Sequence, residues 1–203
     1  MNFRNKKRLQ VINYVFQKLG RDEENKEFLI KLVYLADKFF LLRYGSTITC
    51  DRFIAFPRGP VSAQTLAILD RNEEHIEDNE NTVVEEFEKL YDYTQRPKTK
   101  KVHTIFAKDV SNDFGALSKN EMKVLDIIVE TFGKMQYDDL KEYTHTFSEW
   151  KKHEKDLCNG KTHLQIDVKD MFKDREFTSN KKLAEYFTEE IIQNSVALYN
   201  GEF

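Results

Sequence analysis

The chain has 203 residues, 32 Lys and Arg against 35 Asp and Glu, a net charge of −3 and 40% hydrophobic residues. That length suits one domain, or one domain with an appendage, burying roughly 70% of its unfolded surface with no disulfide or metal staple. The slightly acidic balance does not point to a dedicated nucleic-acid binder, and two cysteines far apart in sequence, Cys50 and Cys158, suit reduced thiols in a cytoplasmic protein.

Apolar residues at helical spacing, Leu9, Ile12, Val15, Phe16 and Leu19, predict an amphipathic helix over residues 3–19, stopped by Gly20. Its early charges, Arg4, Lys6, Lys7 and Arg8, read as a solvated first turn. No apolar run follows them, so no secretory signal is expected. Asp22 is the expected cap of the next helix.

Of the 17 residues from Phe28 to Tyr44, 13 are apolar or aromatic. On a helical wheel they leave one narrow polar stripe, Glu27, Lys31 and Lys38. A helix apolar nearly all round is a buried one, and Lys31, Asp37, Lys38 and Arg43 are too many charges for a membrane span. This segment is therefore expected to be the central helix of a helical core. Asp37 lies opposite the stripe, between Val33 and Leu41. A buried carboxylate needs hydrogen bonds or a cation. The nearest cations in sequence are Arg52 and Arg58, so Asp37 is read as an ion pair that fixes the helix, as part of a partner pocket or as a catalytic acid.

Gly45 ends this helix, and Thr47 to Phe56 reads as a strand. Pro57-Arg58-Gly59-Pro60 forces a tight turn with Arg58 at its tip. Ser62 is a plausible cap for a short helix running to Asp70. Residues 70–92 hold ten acids against Arg71 and Lys89, with Val83, Val84, Phe87, Leu90 and Tyr91 at helical spacing. That pattern is an acidic amphipathic helix: a solvated face, or a docking surface for a basic partner. Residues 96–101 form a basic linker, and His103 to Lys108 is a second strand, expected to pair with Thr47 to Phe56.

Ser118 and Glu121 form a capping box for an amphipathic helix over 119–132, ended by Gly133. A short helix spans Tyr137 to Tyr143, and another begins at Ser148, with Trp150 as a core anchor and His145 as a hydrogen-bonded cap. Cys158 to Arg175 reads as irregular and polar. A final helix is expected from Asn180 to Tyr199, with Leu183, Ala184, Phe187, Ile191 and Leu198 on one side. The predicted fold is mainly α: a central buried helix surrounded by amphipathic helices, with a small two-stranded antiparallel sheet, in a single domain over 1–203.

No catalytic set stands out. The chain lacks a phosphate-binding glycine loop, H-E-x-x-H, G-x-S-x-G and a paired C-x-x-C. His153, Cys158 and His163 fall short of the four ligands of a structural zinc, so neither metal nor cofactor is expected.

The stretch KLVYLADKFFLLRYGSTITCDRFIAFPRGPVS resembles the core of the Panacea domain, a family of SocA-type antitoxins and phage-associated proteins. Lys31 to Asp37, Tyr44-Gly45, Ile48-Thr49, Asp51-Arg52 and Gly59-Pro60-Val61 carry the resemblance. Thr144, His145 and Trp150 are similar to the family's T-H-x-x-x-x-W element. The resemblance covers about residues 8–155 and leaves 156–203 as a C-terminal helical extension. It implies a non-enzymatic, cytoplasmic antitoxin that neutralises a cognate toxin, encoded next door, by direct contact. Some relatives also act as adaptors that deliver the bound toxin to a protease. The alternative is a phage- or mobile-element-associated interaction protein without a toxin of its own. The candidate partner-binding residues are Arg58, Gly59 and Pro60 at the turn, with Asp37, Tyr44, Asp51 and Arg52 beneath it.

Overall fold

A computed structural model describes residues 1–77, 82–99, 101–109, 112–174 and 181–202. The first helix, α1 (Phe3–Leu19), starts where the Asn2 side chain accepts the Asn5 N–H and stops at Gly20 in the left-handed conformation. Arg8, expected in solvent, is buried: it donates to Asn5 Oδ1 and to the Cys50 carbonyl.

A short strand, β1 (Glu23–Asn25), leads into α2 (Lys26–Tyr44). The cap of α2 is Asn25, whose side chain accepts the Glu27 N–H; Asp22, the expected cap, lies outside β1. Sixteen of the 19 residues of α2 are buried. At its end Gly45 has φ of 68°. A Cβ there would fall 2.8 Å from the Ser195 carbonyl and 2.9 Å from Leu198 Cβ, so glycine also lets the C-terminal helix approach this closely.

The sheet pairing corrects the expectation of a single two-stranded sheet. Strand β2 (Phe53–Phe56) is shorter than expected and pairs with β3 (Gly59–Ser62) directly after the turn. Strands β4 (Tyr91–Gln95) and β5 (Val102–Ala107) form their own hairpin, and β5 also pairs with β1. A chain segment pairs most readily with its nearest partner in sequence, because closing a short loop costs least. Two three-stranded antiparallel sheets result, in orders β1-β5-β4 and β3-β2-β6, where β6 is Leu164–Gln165.

Between β3 and β4 in the chain come α3 (Ala63–Leu69) and α4 (Thr82–Leu90), the latter inside the acidic region, whose residues 78–81 lie outside the described ones. Helix α5 (Lys119–Phe132) carries the expected capping box, closed from both Ser118 and Glu121. Helices α6 (Tyr137–His145) and α7 (Ser148–Cys158) follow. The segment expected to be irregular contains β6 and a 3-10 turn that buries Met171 and Phe172. The expected final helix is two, α8 (Lys181–Tyr186) and α9 (Glu189–Asn200), since Thr188 caps a new start; Asn180 lies outside the described residues. The chain is mainly helical, and α2 packs against α1, α5, α6, α9, β3 and β5.

Candidate partner-binding corner

The corner is the two-residue link between β2 and β3, with Phe56 opposite Gly59. Gly59 has φ of 103°. A Cβ there would sit 2.5 Å from Lys31 Nζ, 3.0 Å from Thr144 Oγ1 and 3.1 Å from His145 Cδ2. Only glycine fits, and the turn is thereby clamped between α2 and the end of α6. Pro60 stands on an edge strand, where its missing N–H costs no ladder bond. Its carbonyl accepts Lys31 Nζ at 2.7 Å. The Trp150 indole N–H donates to the Phe56 carbonyl at 2.9 Å, and the His145 ring stacks on Trp150 with centroids 3.7 Å apart. His145 is thus a stacked ring rather than a helix cap, and burial, with Lys31 nearby, pushes its pKa down.

Asp37 is buried, but neither Arg52 nor Arg58 pairs with it. Its carboxylate accepts the Thr49 N–H at 2.9 Å, the Thr49 hydroxyl at 2.6 Å and the Ser62 hydroxyl at 3.0 Å. Burial raises its pKa to about 7, and the Thr49 donors oppose that rise. Asp51 binds the start of α3, accepting the N–H groups of Gln64 and Thr65 at 2.7 and 2.8 Å and the Thr65 hydroxyl at 2.9 Å. It does the capping expected of Ser62, whose hydroxyl is turned to Asp37. Two carboxylates therefore tie the segment after α2 to α2 and α3, and the corner inherits that rigidity.

Arg58 is 59% exposed and donates to both Glu27 oxygens, at 2.6 and 2.8 Å. Arg96, from the β4–β5 loop, reaches the same carboxylate at 2.7 Å. Burial would raise the Glu27 pKa, but the two guanidiniums outweigh it and hold the carboxyl below its usual range. Arg52 is exposed and pairs with Glu77 at 2.9 Å. Tyr44 packs at a tilt on Phe40 at the other end of α2, roughly 26 Å along the helix from Glu27. The candidates thus separate: Arg52 and Arg58 face solvent, Asp37, Asp51, Gly59 and Pro60 are interior residues that shape the corner, and Tyr44 is remote from it.

Two of the three residues of the narrow polar stripe of α2 are themselves interior. Lys31 and Lys38 are 2% and 0% exposed. Lys38 Nζ binds both Glu149 oxygens at 2.8 and 2.9 Å, Asp174 at 2.9 Å and the Met171 carbonyl at 3.1 Å. The Tyr34 hydroxyl donates to Glu149 as well, and burial raises both the Tyr34 and the Glu149 pKa. Two lysines in an otherwise apolar helix were the available signal; their partners lie up to 136 positions away, beyond any local pattern. Among the described residues no group of three His, Cys, Asp or Glu side chains is placed to hold a metal, and no described helix is long and apolar enough to cross a membrane.

What emerges is a helical scaffold with one tightly held corner flanked by two exposed arginines, Arg52 and Arg58. The model of the antitoxin SocA-like, Panacea domain family matches residues 29–151, more than half of the chain and the whole of this corner. The chain belongs to that family. Neither a curated protein nor a solved structure matches it.

Proposed function

We propose that the protein is the antitoxin of a toxin–antitoxin pair, acting in the cytoplasm by direct contact with a toxin encoded by an adjacent gene. It acts by covering the toxin's working surface rather than by catalysis, with α2 as the central helix that carries the corner. Membership of the antitoxin family over residues 29–151 carries this reading. Its contact residues are Arg58 and Pro57 at the exposed tip, with Arg52 exposed at the other end of the β2–β3 hairpin. Delivery of the captured toxin to a protease is an extension of the same contact.

The test is to express the adjacent open reading frame alone and with this protein, score growth, and pull down on a tag. Arrest, rescue and co-purification together are the expected result. Rescue without co-purification would indicate delivery for degradation. A harmless neighbour would overturn the toxin-pair reading in favour of a phage- or mobile-element-associated interaction protein. Arg58→Glu should weaken toxin capture at least tenfold, as loss of an interface arginine does. It should move the thermal midpoint little, because its exposed pair with Glu27 is worth about 1 kcal/mol or less.

A further inference from the structure

The groove beneath the corner is lined mainly by basic and apolar side chains. Its volume is about 380 Å³, within the roughly 300–1,000 Å³ typical of small-molecule sites. Lys26, Lys31, Arg58, Arg96 and Lys101 line it against only Glu27 and Asp70, on a chain whose net charge is −3. Lys26 is neutralised by Asp70 at 2.5 Å, and Arg58 and Arg96 share Glu27. Lys31 has no carboxylate within salt-bridge distance among the described residues; its amine donates to the Pro60 carbonyl alone.

A buried ammonium with one of three donors used is a costly group to keep. Burial pushes the Lys31 pKa well down; Glu27 opposes that shift and Lys141 adds to it. Tyr137 also lines the groove, its hydroxyl beside the Glu27 carboxylate. The rest of the wall is apolar, from Ile30, Phe56, Val61 and Leu66.

These features ask for a ligand with more than one negative charge and an apolar body. A lone carboxylate from a protein would duplicate what Glu27 already supplies to Arg58 and Arg96 from within. Free phosphate would leave the apolar wall uncovered. We propose that the groove binds a nucleoside phosphate, its phosphates on Lys31, Arg96 and Lys101 and its base against Phe56, Val61 and Leu66. This site shares Pro57 and Arg58 with the proposed toxin contact, but its test uses no toxin, so the two readings fail independently.

The experiment is calorimetric titration of the full chain with ADP and, separately, GDP, with inorganic phosphate and adenosine as control probes. At least one nucleotide should bind, and each control should bind at least tenfold more weakly. The Arg96→Ala/Lys101→Ala pair changes only the groove rim and should fold normally. It should lose about tenfold or more in nucleotide affinity, the effect of removing charge-assisted hydrogen bonds. Lys31→Met should abolish binding; if that variant fails to fold, the rim pair decides. Absence of heat with both nucleotides at about 1 mM, the weak end of the affinity scale, would overturn the proposal. So would phosphate binding as well as nucleotide, or a rim variant that binds like the parent.

Discussion

Asp37 shows how a single buried carboxylate is legible while its company is not. Its place on the apolar side of a helix correctly implied burial and a need for partners. The partners are Thr49 and Ser62, short polar side chains that a search for cations passes over. Asp37→Ala would leave three buried donors unanswered and should cost about 3–5 kcal/mol in urea denaturation. Asp37→Asn keeps an acceptor and should cost clearly less. The pH dependence follows from the raised pKa. The folded state holds the Asp37 proton up to about pH 7, whereas an unfolded aspartate releases it near about pH 3.9. The stability this proton contributes is fully present below the unfolded value and is lost as pH rises toward 7. Denaturation midpoints of the parent should therefore fall between about pH 4 and 7 more steeply than those of Asp37→Asn. Equal slopes would mean that Asp37 stays ionised across this range. Lys31 and Lys38 are a harder case: lysine is almost never fully buried unless paired, and nothing local to α2 names their partners.

Local signals fixed most single elements. The capping box at Ser118, the stops at Gly20 and Gly45 and the turn at Pro57 to Pro60 all stand where the residues place them. The break before α9 also had a signal, since Thr188 caps the Ile191 N–H, but continuous apolar spacing masked it. Strand pairing failed because β propensity names a strand and not its neighbour. The element-scale bond that matters most is Lys38 of α2 with Glu149 of α7, both fully buried. Lys38→Met strands the Glu149 charge in the interior and should cost about 3–5 kcal/mol. Adding Glu149→Leu should recover part of that loss, because an apolar pair replaces an ion pair well when both charges leave. A double-mutant cycle by chemical denaturation reads the coupling; a cycle with no coupling would mean the ion pair contributes nothing specific.

At the scale of the whole molecule, the helical class and the family stretch were readable, whereas closure of the core was not. The family match ends at residue 151, yet Ile166, Met171, Phe187 and Ile192 belong to the same hydrophobic cluster as Leu29 and Phe39. Strand β6 completes the sheet beside the corner, and Asp174 reaches Lys38. A chain ended after Asn159 should therefore melt at least about 10 °C lower by calorimetry, since several large buried side chains go with it. An unchanged midpoint would make residues 160–203 a dispensable attachment. The stack of His145 on Trp150 has a use of its own. Trp150 is the chain's one tryptophan, so the protein's tryptophan fluorescence comes from a single ring hydrogen-bonded to the corner. A neighbouring imidazole quenches indole emission more strongly once it is protonated. The molecule thus carries a built-in optical gauge of its own corner, and anything that presses on the turn will register in the brightness and colour of one residue.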